Sequence, residues 1–145
     1  MKKKIVLLLA VVLVIIQFFQ IDKNPLPVVP SETFSVVESP PRNISEMLDK
    51  ACMDCHGHST DYPWYSYVQP VGWWLRGHGR GGRMHLDFDE WGQYDQKSRA
   101  HHAEEIVEVL DENRMPLKSY TWFHSESKLS EADKAALRAY FKAMN

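Results

Sequence analysis

The chain opens with Lys2-Lys3-Lys4 and then runs apolar without a break from Ile5 to Ile16, prolonged by Gln17-Phe18-Phe19-Gln20-Ile21. An apolar run with charge at one end only is the pattern of an export leader or membrane helix. Further along, the spacing of apolar positions is helical wherever it is regular. Ile44–Ala51 predicts a short helix with Met47, Leu48 and Ala51 on one face. Pro70 suits a first helical position and predicts helix to Arg76, before Gly77, Gly79, Gly81 and Gly82 break it. Over Lys97–Asn113, His102, Ile106, Val109 and Leu110 recur at helical spacing, with Glu104, Glu105, Glu108 and Asp111 toward solvent. Ser130-Glu131-Ala132-Asp133 approximates a capping box, with Asp where Glu or Gln is usual. It opens a last helix striped by Leu137, Tyr140, Phe141 and Met144. No stretch alternates as a strand does, so the expected fold is all-α.

The leader sets the expected organisation. From Ile5 to Ile21 the run is 17 residues, about 25 Å of helix against a hydrocarbon core of ~30 Å, a gap that snorkelling lysines and modest thinning can close. Its end is bulky and offers a signal peptidase no small-residue site, so residues 1–21 are expected to stay as an uncleaved anchor; the alternative is a cleaved signal and a soluble periplasmic product. Lysines remain on the cytoplasmic side, which places the rest of the chain in the periplasm of a bacterial inner membrane. Residues 22–42 hold five of the eight prolines and are expected to be extended, reaching up to ~65 Å as a stalk or disordered spacer. Residues 43–145 suffice for one domain. That domain holds all five tryptophans and all seven histidines, and its 12 Lys/Arg against 16 Asp/Glu give −4, which argues against a nucleic-acid partner.

The chemistry is concentrated at Cys52-Met53-Asp54-Cys55-His56, which contains the only two cysteines. This C-x-x-C-H is the attachment sequence of a c-type haem: two thiols three apart match the two vinyl groups on one porphyrin edge, and the next histidine can take one axial position. Chance produces such a triplet in roughly one chain of this composition in a thousand. A dithiol redox site is the first rival, but that goes with strand–helix alternation, which is missing here. Zinc is the second, and the remaining histidines offer no finger-like spacing. One covalent haem c is the expected cofactor.

An electron-transfer haem needs a second axial ligand. Met115 leads, because Pro116 biases it away from helix and onto an extended loop after the Lys97–Asn113 helix. Met84, His85, His78 and His124 are the rivals, the first two following the glycine-rich turn. Tyr62, Trp64, Tyr65 and Trp74, with Pro116, are candidates to wall the porphyrin and exclude water; plain core packing is the alternative for each aromatic. Arg76, Arg80 and Arg83 are candidate propionate partners or ordinary surface arginines.

With these residues in view, the domain resembles the small haem-binding domain family of exported bacterial proteins, a cytochrome c-like family. The likeness runs through most of Leu48–Tyr140. It rests on Cys52–His56, Thr60-Asp61-Tyr62-Pro63-Trp64-Tyr65, Pro70-Val71-Gly72-Trp73-Trp74, Phe88-Asp89-Glu90-Trp91, and Met115-Pro116-Leu117 with Tyr120 and His124. The stretch Arg76–Gly82 is richer in glycine than the family pattern. The resemblance implies a cytochrome c-like fold and redox partner proteins in respiratory or dihaem peroxidase-like chains. Two functions stay open. One is a monohaem electron carrier with His56/Met115 ligation and no catalytic residue. The other is a haem enzyme or sensor with an open distal site, where His78, His85 or His124 would act as acid–base group.

Overall fold

The computed structural model describes residues 1–144; Asn145, the last residue of the expected domain, lies outside the described residues. Eight α-helices and no strand occur among the described residues, so the chain is all-α. They are α1 (Lys2–Ile16), α2 (Phe34–Val37), α3 (Arg42–Ala51), α4 (Met53–His56), α5 (Val71–His85), α6 (Gln96–Asp111), α7 (Lys118–Phe123) and α8 (Glu131–Lys142).

The core forms where α3, α6 and α8 turn apolar faces inward. Ile44, Leu48 and Ala51 come from α3, Ala103, Val107 and Leu110 from α6, and Leu137 and Phe141 from α8. The buried face of α6 includes Ala103 and Val107, which the spacing did not single out; Ile106 packs at its edge, and the His102 ring lies 4.7 Å from that of Tyr94. Both bonds of the capping box on α8 form: Asp133 N–H donates to Ser130 Oγ (3.1 Å) and Ser130 N–H to Asp133 Oδ2 (2.9 Å). Asp95 caps α6 by accepting from Ser98 N–H at 2.7 Å.

Three expectations need correction. The glycines of residues 77–82 do not break a helix: α5 runs unbroken to His85. Glycine in a helix costs about 1 kcal/mol against alanine, and at two positions of α5, Gly72 and Gly82, the missing side chain lets the helix approach its neighbours. A Cβ on Gly72 would sit 2.3 Å from the Ser66 carbonyl oxygen, and one on Gly82 would sit 2.6 Å from that of Cys55.

The leader does not continue as one helix to Ile21. α1 ends at Ile16 and is 15 residues long, about 22 Å, and no helix of the described residues is long and apolar enough to cross a membrane. Gln17 ends it: its side-chain amide donates to the Leu13 and Gln69 carbonyls and accepts from Gln69 N–H. Ile21 is buried.

Residues 22–42 are not a free stalk but a strap laid along the domain. Leu26 N–H donates to the His58 carbonyl at 3.0 Å and Phe34 N–H to that of Phe88 at 2.7 Å. The Phe34 ring enters the core edge-on to Trp91 (5.0 Å between centroids) and Phe88 (5.2 Å), with Phe141 at 5.8 Å. Glu38 accepts from the Trp91 indole N–H at 2.8 Å, and Glu32 from the Gln93 side-chain amide at 2.7 Å. The folded unit therefore begins well before Asn43. Prolines read as an extended segment, and no periodicity marks one phenylalanine in such a segment as core.

Truncating Phe34 distinguishes strap from stalk. Phe34→Ala should destabilise the protein by about 3–5 kcal/mol in denaturant unfolding, the cost of emptying a packed aromatic site. A residue on a free tether would change stability by less than about 0.5 kcal/mol.

Candidate functional site

The two cysteines sit on the bend between α3 and α4. Cys52 closes α3 through its N–H to the Leu48 carbonyl at 2.8 Å, and the N–H groups of Cys55 and His56 return to the Cys52 carbonyl. Both thiols are free. Burial, with repulsion from Cys55 and Asp49 behind it, pushes the Cys52 pKa up to about 12, and burial raises that of Cys55 as well. Among the described residues neither cysteine joins a group of side chains able to ligate a metal ion.

His56 is oriented by the chain that crosses it. Its Nδ1–H donates to the Leu86 carbonyl at 2.9 Å, while Phe88 N–H donates to the His56 carbonyl at 2.9 Å. The first bond fixes the tautomer and leaves the Nε2 lone pair as the free donor, the arrangement that prepares an imidazole for a metal. Burial holds its pKa below the ordinary value, so the ring is neutral. The Phe88 ring lies edge-on beside it, 6.3 Å between centroids.

Asp54, inside the motif, ties α7 to this turn. Its Oδ2 accepts from Tyr120 O–H at 2.6 Å and its Oδ1 from Asp61 N–H at 3.0 Å, while Ser127 Oγ donates to Tyr120 from 3.3 Å. Burial and the Asp54 bond raise the Tyr120 pKa, so the phenol stays a donor. His58, just past the motif, is buried. Its Nδ1 donates to the Pro27 carbonyl at 2.6 Å and its Nε2 faces Asp87 at 3.0 Å, with Glu90 at 3.9 Å. With a hydrogen-bond partner at each ring nitrogen, this cluster is a clasp between strap and loop.

The other candidates are spread more widely. Met115 and Pro116 are half-buried in the loop between α6 and α7, as their sequence setting suggested, and Met115 N–H donates to the Val109 carbonyl at 3.3 Å. Asn113, at φ 54°, turns the chain out of α6; asparagine tolerates this left-handed conformation better than most residues. Tyr65 is half-buried and bonds His124 Nε2 at 3.0 Å, the other His124 nitrogen meeting Glu126 at 3.3 Å. Tyr62 lines an open cavity with Arg76, Arg83 and His58, and Arg83 donates to the Gly57 carbonyl at 3.0 Å. Trp64 is 77% exposed and Trp74 50%, the latter packed 4.2 Å from the His78 ring. Met84 and His85 lie exposed on the last turn of α5 rather than after a glycine turn.

Sequence reasoning missed the residues that orient the site. Leu86 acts through its backbone, which carries no signature. Gly82 is visible in the sequence as part of a glycine-rich stretch, which by itself signals a helix breaker. Phe88 and Tyr120 stood within the family pattern without a role.

The family model of the haem-binding domain matches residues 11–143, and the chain belongs to that family. No curated protein and no solved structure matches the chain significantly. The residues fit the group the family binds: two free thiols on one turn, followed by an imidazole whose Nδ1–H is held by the Leu86 carbonyl.

The approach of α5 to Cys55 predicts opposite outcomes for neighbouring glycines. Gly81→Ala meets nothing within 4 Å and should leave stability unchanged or raise it by up to about 1 kcal/mol, following helix propensity. Gly82→Ala collides with the Cys55 backbone and should cost about 1–3 kcal/mol and reduce haem incorporation, read as the haem-to-protein absorbance ratio. Equal behaviour of the two variants would show that α5 does not pack on the motif.

Proposed function

We propose that the protein is a monohaem c-type cytochrome that carries electrons, with Cys52 and Cys55 as thioether attachments and His56 and Met115 as axial ligands. The observation that carries this reading is the Leu86 carbonyl holding His56 Nδ1–H, which puts the ring's lone pair on Nε2, the atom that would ligate a metal. A bound haem would supply a one-electron Fe(III)/Fe(II) couple. The protein's part is to hold and tune. Cys52 and Cys55 would hold the group covalently, and Leu86 and Phe88 orient the His56 ring. Asp54 and Tyr120 tether α7 behind the Met115 loop. A thioether ligand in a site that excludes water favours the reduced state and raises the potential. The partners on this reading are redox proteins of a respiratory or peroxidase-linked chain. α1 is an uncleaved anchor in a bacterial inner membrane, with the haem domain on the periplasmic side; the run of Lys2–Lys4 and the exposed apolar length of α1 support that placement.

The second reading, a haem enzyme or sensor with an open distal position, draws on His124. That ring is held between the Tyr65 phenol and Glu126, the kind of hydrogen-bonded histidine an acid–base step uses. The two readings part at the iron's sixth position.

Attachment is tested by the Cys52→Ala/Cys55→Ala double variant, which should lose haem staining on a denaturing gel; retained stain would rule out thioethers. For the sixth ligand, oxidised protein should show the weak sulfur-to-iron charge-transfer band at the red edge of the spectrum. Met115→Ala should lose that band and bind imidazole or cyanide more readily, and Met115→His should restore six-coordination at a lower potential. A wild type with bis-histidine spectra unaffected by Met115→Ala would move the ligand elsewhere, and a high-spin, readily ligated wild type would favour the enzyme or sensor.

A further inference from the structure

The exit of α1 is bolted to the domain by an unusual joint. Gln69 is 1% exposed, and its backbone N–H and carbonyl are both taken by the Gln17 side chain, at 2.8 and 3.0 Å. Its own amide donates to Gln20 Oε1 at 3.3 Å and accepts from Trp73 N–H at 3.1 Å. Gln20 also donates to the Tyr67 carbonyl at 3.1 Å, and the Trp73 indole N–H donates to the Phe19 carbonyl at 2.9 Å. The direction in which α1 leaves the domain is therefore fixed by five side-chain hydrogen bonds, not left to a flexible hinge.

Around this joint lies an exposed aromatic and aliphatic face. Phe18, Phe19, Tyr67, Val68, Val71 and Trp73 are all exposed. It lies at the exit of α1, whose Leu7, Leu8 and Leu9 are each more than half exposed. No charged residue occurs between Asp61 and Arg76. At its edge, Lys23 places its ammonium 3.7 Å from the centre of the Tyr67 ring.

We propose that this face is a membrane-seating surface, which sinks into the boundary between phospholipid headgroups and acyl chains and holds the haem domain against the bilayer in one orientation. The inference rests on the reading of α1 as a membrane anchor. α1 is about 22 Å long, some 8 Å short of a ~30 Å hydrocarbon core. A short anchor draws the protein surface beside its exit down toward the bilayer. Here that surface is made of Trp, Tyr and Phe, with the tryptophan and tyrosine that favour the interface. The lack of charge argues for lipid rather than a redox protein, because docking between such proteins is steered by complementary charged patches. The joint means that α1 and the face enter together.

Thiol accessibility tests it on the full-length holoprotein in vesicles of phosphatidylcholine with a minority of phosphatidylglycerol. Haem attachment consumes Cys52 and Cys55, so Leu9→Cys, Val71→Cys and Glu104→Cys each add one free thiol, the last on the exposed side of α6. The readout is the rate of alkylation by a charged, membrane-impermeant maleimide added outside. Val71 is exposed in the protein itself, so slow labelling there reports a covering. The expected result is labelling several-fold slower at positions 9 and 71 than at 104, unchanged as the vesicles are diluted with more lipid. Fast labelling at 71 with position 9 still protected would overturn the seating surface and leave the anchor standing. Fast labelling at position 9 would remove the anchor, and the inference with it. Protection at 71 that fades on lipid dilution would indicate contact between copies and also overturn the proposal.

Discussion

The structure turns on two hydrogen bonds, one from a side chain and one between backbones, that join the C-x-x-C-H turn to the chain leaving α5. His56 Nδ1–H reaches the Leu86 carbonyl and Phe88 N–H reaches the His56 carbonyl, so residues 56 and 86–88 are held side by side without forming a sheet. The same crossing brings His58 to Asp87 and Asp89, and Asp89 accepts from His58 N–H at 2.6 Å. The setting of His56 follows from this pairing. The tautomer of His56 is set, its ring is walled by Phe88, and the Phe88 carbonyl is left facing outward to receive the strap at Phe34. Buried backbone groups must find partners, and here that requirement and the orientation of a ligand are met by the same atoms.

The helices around this crossing contribute by proximity rather than by reactive side chains. α5 comes close because Gly82 has no Cβ to strike Cys55. α7 comes close because Tyr120 gives its proton to Asp54. Asp54 thereby joins three parts of the chain, since the Asp61 loop is anchored on its other oxygen. Burial raises the pKa of both thiols, so the pocket that receives them favours their protonated form.

How much of this was legible in the sequence depended on the range of the interaction. The capping box at Ser130 and the stripe from Leu137 to Met144 are local, and both read correctly because a helix repeats its pattern every few residues. Cys52, Cys55 and His56 were legible for the same reason: their chemistry is a spacing. What failed was non-local. Gly77–Gly82 looks like a break until the close approach to Cys55 is known, and the Pro-rich segment looks like a tether until Trp91 and Phe141 are seen around Phe34. A glutamine such as Gln17, in an apolar run, carries no sequence mark of the backbone it will clamp. Leu86 illustrates the limit most plainly, because the atom that matters is a carbonyl shared by every residue type.

The contact between Phe34 and Phe141 also sets an order of events in time. A chain made from its N-terminus presents Phe34 early, and the ring has no complete site until the last turns of α8 exist. Pairings between distant parts of a chain are slow to form, because loop closure must precede the contacts that reward it. Until then the Phe34 ring lacks one of the aromatic rings that enclose it. The strap is thus the first part of the domain to be made and, through Phe34, among the last to be fully enclosed.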